Sequence, residues 1–232
     1  MTESDCITVS CIIPAFNEAA RIDAVLSAVV GHPLIHEVIV VDDRSRDATV
    51  NVARRRRVRV IQLKRNQGKS AAVAQGVAAS HGSHILLLDA DLVGLSTDDI
   101  TALIYPVLHH SVDATISLRS NSPLLWRAIG LDYISGERVF PRSLVADRLK
   151  EMRQLPRFGL EVWLNSLWIE LQLHVQVVGW SHVISPLKGR KMGWWRGIRA
   201  DARMMCDIFR TISPRDALQQ IYALQRSRFR GN

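Results

Sequence analysis

Short β-rich apolar runs alternate along this chain with longer stretches whose apolar side chains recur every three or four positions. The run 7–13 closes on Pro14 and reads as a buried first strand. Asn17 stands where a cap belongs for a helix with the inward stripe Ile22, Val25, Leu26 and Val29. A second strand, 37–41, closes on Asp42-Asp43, and Asp47 is placed to cap the helix through Val50 and Ala53. The run 58–63 predicts a third strand, 68–79 an Ala-rich helix and 85–88 a fourth strand ending on Asp89. Next come a helix over 97–108, capped by Ser96 or Thr97, and a strand over 113–118. Residues 119–141 lack a clear period; 160–173 reads as a largely buried helix and 174–178 as a strand. This βαβ rhythm predicts an α/β fold, a mainly parallel Rossmann-like sheet with helices on both faces.

The polar clusters Asn17-Glu18, Asp42-Asp43 and Asp89-Ala90-Asp91 all follow the C-terminal ends of predicted strands. That edge is where ligands bind in open α/β sheets, so clusters distant in sequence are expected in one crevice.

Composition narrows the class. At 232 residues and 47% apolar content the chain supports one full α/β domain with a modest extension, not a disordered or fibrous protein. The polar, acidic residues 1–5 do not read as a signal peptide. No apolar run reaches the roughly 18 residues of a spanning helix; the nearest, 158–180, is broken by Glu161, Glu170 and His174. Cys6, Cys11 and Cys206 have neither metal-ligand nor redox spacing and suit a reducing cytoplasm. The expected location is therefore cytoplasmic, soluble or peripheral on the membrane. Residues 186–232 hold 11 Lys and Arg against 3 Asp, a balance of +8 that equals the whole-chain value, so residues 1–185 are neutral on balance. A basic tail points to an anionic surface.

Asp89 and Asp91 flank a small residue just past a buried strand, and paired carboxylates there suit a hard divalent cation. A metal so held would neutralise the charge that grows on a leaving diphosphate. Of Asp42 and Asp43, one carboxylate is expected to accept from a nucleobase N–H while the other shapes its loop. Lys69 follows Asn66-Gln67-Gly68 and opens a helix, where backbone N–H groups and an ammonium suit a phosphate. Glu161 opens an apolar helix, which is costly unless the carboxylate is employed; it is the candidate general base or acceptor ligand.

Ile12-Ile13-Pro14-Ala15-Phe16-Asn17-Glu18, Val41-Asp42-Asp43, Asn66-Gln67-Gly68-Lys69 and Leu88-Asp89-Ala90-Asp91 occur in that order. Together they resemble the family-2 glycosyltransferases of the GT-A fold, over about residues 7–118. Arg44 departs from the pattern, in which Gly usually follows the Asp pair. The resemblance implies a nucleoside pocket lined by Pro14, Ala15, Asn17 and Glu18, with Asp43 or Asp42 at the base. It also implies Gly68 and Lys69 near the base or diphosphate, Asp89 and Ala90 near the ribose or metal, and Asp91 coordinating Mn²⁺ or Mg²⁺. Ser135-Gly136-Glu137-Arg138 and Phe158-Gly159-Leu160-Glu161 are similar to elements of dolichyl-phosphate glucosyltransferases and glucosyl-phosphoglycerate synthases. In the latter a histidine completes the metal site, and His182 falls at the matching position. Lys188, Arg190 and Lys191 would close over the diphosphate.

The implied reaction moves a hexose from a UDP- or GDP-sugar to a hydroxyl or phosphate acceptor with inversion. A retaining synthase and a non-catalytic nucleotide-sugar-binding scaffold are the rival readings. The expected organisation is a catalytic domain over 1–185, with a donor half to about 118 and an acceptor half from about 119, and a helical extension over 186–232. In that extension Trp195, Ile198, Ala202, Met205, Phe209 and Ile212 form one stripe, and a second helix starts at Ser213-Pro214 with Leu218, Ile221 and Leu224 inward. Two readings stand for it: docking on anionic lipid near a polyprenyl-phosphate acceptor, or cover for the body or a homodimer contact. No recognition motif accompanies the charge, so nucleic acid is not expected.

Overall fold

In the computed structural model the described residues are 7–122, 130–156, 159–185 and 213–228. Their strands are β1 (Val9–Ala15), β2 (Glu37–Asp42), β3 (Arg59–Gln62), β4 (His84–Leu87), β5 (Ala114–Arg119), β6 (Arg138–Pro141) and β7 (Val175–Trp180). The helices are α1 (Ile22–Val29), α2 (Thr49–Arg55), α3 (Lys69–Ala79), α4 (Thr97–Leu108), α5 (Ser143–Ala146), α6 (Leu149–Gln154), α7 (Gly159–Glu170) and α8 (Pro214–Arg228). One seven-stranded sheet has the order β3-β2-β1-β4-β6-β5-β7. Every pairing is parallel except those of β6, which runs against both β4 and β5. The irregular stretch 119–141 thus contains a strand that periodicity did not reveal. Its four residues are almost wholly buried, so no polar–apolar alternation marks them.

Two apolar layers sandwich the sheet. Cys11, Ile13 and Val40 share one core with Val25 and Leu26 of α1, Val52 and Ala53 of α2, and Ile100 and Ile104 of α4. Ile12, Ile39 and Val41 face the opposite layer, where Val73 and Val77 of α3 meet Leu160, Leu164 and Trp168 of α7. Successive residues of one strand therefore feed two cores, as the period of two requires.

Several local expectations are revised. β1 runs through Pro14 to Ala15. The carbonyl of Ala15 is bonded from Asp43 on the β2 side and that of Ile12 from Leu88 on the β4 side. Pro14 therefore faces β4 beyond the end of its register with β1, where a missing N–H breaks no ladder bond. Asn17 does not cap α1, which begins at Ile22 without a side-chain cap. It takes the left-handed conformation (φ 57°), and its Oδ1 accepts the N–H of Arg46. Asp47 accepts from the N–H groups of Thr49 and Ala19, so it ties α2 to the loop after β1. α4 has the predicted bounds, and Ser96 and Asp99 form a reciprocal capping box.

The second helix of the extension is present as α8. Ser213 Oγ accepts from the N–H of Asp216, Leu224 is buried, and Ile221 packs against the α7 side of the core. Gln220 donates to Ser166 of α7 and accepts from the hydroxyl of Tyr133. α8 thus covers the body. The first helix of the extension, Lys188, Arg190 and Lys191, and the Leu218 side chain lie outside the described residues.

Gly76 gives the fold a direct test. A Cβ there would lie 2.5 Å from Cγ2 of Ile12, on a central strand with no room to yield. Helix propensity favours Ala over Gly by up to about 1 kcal/mol, whereas overpacking a core costs about 1–3 kcal/mol. Gly76→Ala should therefore lower stability in urea denaturation, and a rise would show that the α3–β1 contact is looser than described.

Candidate active site at the C-terminal sheet edge

Topology brings the polar clusters together. The parallel strands β1, β2, β4, β5 and β7 all end at one edge, and antiparallel β6 begins there. Asn17 and Glu18, Asp42 and Asp43, Asp89 and Asp91, Arg119, the loop 135–137 and the segment 182–185 therefore share that edge, as do the N-termini of α3 and α7.

Lys69 is the hub. Its Nζ lies 2.7 Å from Asp89 Oδ1 and 2.8 Å from Glu161 Oε1, joining two segments far apart in sequence. Glu161 is buried, with 6% of its side chain exposed, while Lys69 keeps 35% accessible. Burial alone would lower the ammonium's pKa, but the carboxylates of Asp89 and Glu161 outweigh it and push the pKa up. Gly136 packs beneath this triad: a Cβ there would lie 2.6 Å from Lys69 Nζ and 2.7 Å from Asp89 Oδ2.

Asp91 has the opposite balance. Burial, then the charges of Asp89 and Glu18, raise its pKa against the hydrogen bond from Ser185 Oγ at 3.1 Å and the charge of Arg119. Surplus negative charge is concentrated at this carboxylate. Among the described residues no three His, Cys, Asp or Glu side chains converge as a ready-made metal cluster. His182 is not brought to the Asp pair: its Nε2 lies 3.0 Å from Asp99 Oδ2, and the side chain is 58% exposed. Asp99 anchors it because the capping box of α4 holds that carboxylate at the end of β7.

Asp42 and Asp43 both serve the backbone. Asp43 accepts from the N–H groups of Gln67 and Gly68, which fixes the start of α3, and Asp42 accepts from Ser45. Each carboxylate has four lone-pair sites, so capacity for a ligand remains. Arg44 adopts φ 66°, the left-handed conformation that favours glycine. The turn after the Asp pair is thus retained despite its side chain.

Arg119 is a site residue that the strand pattern narrowly missed, since the predicted strand ended one residue earlier. Its guanidinium meets Asp132 at 3.2 Å and Glu137 at 3.4 Å. Glu137 also accepts from Ser117 and Ser135, and Asp132 from Ser122. This network holds the loop that carries Gly136. Arg138 is fully buried: it donates to Ser135 O and Asn165 Oδ1 and lies 5.0 Å from the Trp168 ring centroid. Burial pushes its pKa down to about 10, so it remains charged at neutral pH.

Folding raises the pKa of Asp91, so its charged form weakens the metal-free protein. That cost is absent below the unfolded value of about 3.9 and develops as pH rises through the folded value. Asp91→Asn should raise the metal-free Tm at pH 7, with the gain shrinking as the pH falls toward 4. A lowered Tm at pH 7 would show that Asp91 is already compensated.

Comparison with known proteins agrees with this geometry. The Glycosyl transferase family 2 profile matches residues 10–150. Dolichyl-phosphate beta-glucosyltransferase of Drosophila melanogaster is 36% identical over 107 residues, covering 39% of this chain and 33% of that protein. Dodecaprenyl-phosphate galacturonate synthase of Rhizobium johnstonii is 30% identical over 125 residues, 50% of this chain and 37% of that protein. The chain thus spans about a third of the length of these curated relatives. Glucosyl-3-phosphoglycerate synthase from Mycobacterium tuberculosis, solved with Mn²⁺, UDP and glucosyl-3-phosphoglycerate, superposes with a TM-score of 0.68 at 22% identity, covering 88% of this chain and 80% of that one. That likeness is one of fold. With more than half its length matched by the family profile and the GT-A architecture in place, this chain belongs to glycosyl transferase family 2.

Proposed function

We propose that the body is the catalytic domain of a glycosyltransferase that moves a hexose from a UDP- or GDP-sugar to a phosphate or hydroxyl acceptor. A polyprenyl phosphate is the favoured acceptor. One observation carries the reading: Asp89, Asp91 and Lys69 converge at the ligand-binding edge of a family-2 fold. The relatives named for dolichyl phosphate and dodecaprenyl phosphate support the lipid acceptor.

The carboxylate oxygens of Asp91, with Asp89, fit a hard divalent ion, and the raised pKa of Asp91 marks charge that such an ion would relieve. Mn²⁺ or Mg²⁺ bound there would act as a Lewis acid on the diphosphate as it leaves. No third protein ligand is needed if diphosphate oxygens complete the shell, which leaves His182 to orient the segment 182–185 through Asp99. Asn17, Glu18 and the Asp42-Asp43 loop form the wall for the nucleoside. Lys69 stands ready to pass from Asp89 to a phosphate oxygen.

Transfer forms a bond between an acceptor oxygen and the anomeric carbon and breaks the bond from that carbon to the diphosphate. Attack opposite the leaving group inverts the configuration. A phosphate acceptor is already an anion and requires no general base. Glu161, held by Lys69, then acts by positioning the ammonium rather than by taking a proton.

The test is a thermal-shift titration with UDP and GDP, with and without Mn²⁺. A nucleotide at about 100 times its Kd should add about 2.7 kcal/mol of stability. The metal-dependent part should vanish in Asp91→Ala, and an unchanged metal response would remove Asp91 from the site. The anomeric configuration of the product, read by NMR, tests inversion: a product retaining the donor's α configuration contradicts it.

A further inference from the structure

The electrical neutrality of residues 1–185 conceals a strong polarity. Between Arg44 and Arg65 lie eight Arg and one Lys against Asp47 alone, a balance of +8. Residues 1–185 hold nineteen basic and nineteen acidic side chains, so ten basic and eighteen acidic remain elsewhere, a balance of −8.

The fold gathers the basic segment on one flank. Arg54 and Arg55 end α2, Arg56 and Arg57 follow it, and Arg59 lies on β3, the end strand of the sheet. Arg44 and Arg46 follow β2, and Lys64 and Arg65 follow β3. Eight of the nine basic side chains are exposed; Arg56 is half-buried. Among the described residues Arg56 is the one of the nine in a salt bridge, with Asp23.

Ordinary structural roles account for little of this. The dipole of α2 favours Arg54 and Arg55 in its last turn. A charge on an edge strand discourages edge-to-edge pairing, which accounts for Arg59. Neither role reaches Arg44, Arg46, Arg57, Lys64 or Arg65, and an excess of one sign of charge along a flank suits an anionic partner.

We infer that this flank docks on the surface of an anionic lipid bilayer. No exposed large apolar or aromatic side chain falls within 44–65, so the stacking surfaces of a single-stranded nucleic-acid site are missing from the patch. No described helix is long and apolar enough to cross a membrane, so attachment through the described body would have to be peripheral. Arg44, Arg46, Lys64 and Arg65 lie at the same sheet edge as Asp43 and Asp91, so docking brings the mouth of the site to the headgroups. Lipid is preferred to other polyanions because the proposed acceptor is lipid-linked; the patch itself does not depend on that reading.

The test uses the full chain and vesicles of phosphatidylcholine with or without phosphatidylglycerol. Arg54→Gln/Arg55→Gln/Arg57→Gln is compared with the matched control Arg148→Gln/Lys150→Gln/Arg153→Gln, all exposed and outside the donor site. The first variant should lose about tenfold or more of its partitioning onto phosphatidylglycerol vesicles, with the control unchanged and both keeping the nucleotide-induced thermal shift of the wild type. Equal losses in the two variants, or no loss in the first, overturn the inference. So does wild-type binding to a single-stranded oligonucleotide but not to the vesicles at the same salt. Failure of vesicle binding with an intact nucleotide response refutes the docking alone, whereas loss of the nucleotide response in wild type with vesicle binding intact refutes the proposed function alone.

Discussion

The Lys69 ammonium sits between two carboxylates that reach it from different halves of the chain. Asp89 comes from the end of β4, and Glu161 from the first turn of α7, more than ninety residues after Lys69 itself. Much of the site's architecture serves this contact. Asp43 fixes the start of α3 by accepting the backbone N–H groups of Gln67 and Gly68 just before it, which sets where Lys69 emerges. Gly136 lets the acceptor-side loop close against the pair, and the Arg119–Asp132–Glu137 network holds that loop in place. Without ligand, the pairing compensates two carboxylates that would otherwise repel each other. Among the described residues Asp91 lacks such a partner, and burial with the charges of Asp89 and Glu18 keeps its pKa raised.

That asymmetry gives the site its direction. On the proposed function, a divalent cation held by Asp91 would bring a diphosphate that offers Lys69 an alternative anionic partner, and a Lys69 that left Asp89 would still have Glu161. Charge is also asymmetric at the scale of the whole body. A basic flank runs along β3 and reaches the same sheet edge as the carboxylates of the candidate site.

Much of this was legible in the sequence because it rests on strand ends. Asp42, Asp43, Asp89 and Asp91 each follow an apolar run, and the right-handed βαβ connection carries all such ends to one edge. The ordered motifs sharpened that reading into a family. What stayed hidden depends on tertiary pairing. β6 carries no alternation because it is almost wholly buried, so its antiparallel course, which delivers Gly136 to Lys69, could not be read. His182 reads as a metal ligand by position, but the capping box at α4 places an acceptor beside it that sequence spacing does not reveal. Asn17 reads as a helix cap, yet its left-handed backbone turns the side chain to Arg46. A net charge counted over 185 residues likewise averages away the basic run 44–65, and its gathering on one flank emerges only when β3 is known to end the sheet.

The most direct measurement is a crystal structure of the full chain with UDP or GDP and Mn²⁺, with anomalous scattering used to locate the metal. An anomalous peak is expected at an Asp91 carboxylate oxygen and the diphosphate, with Lys69 moved from Asp89 toward a phosphate oxygen. A nucleotide bound elsewhere, or a peak away from Asp91 with the Lys69–Asp89–Glu161 contacts undisturbed, would contradict the proposed site.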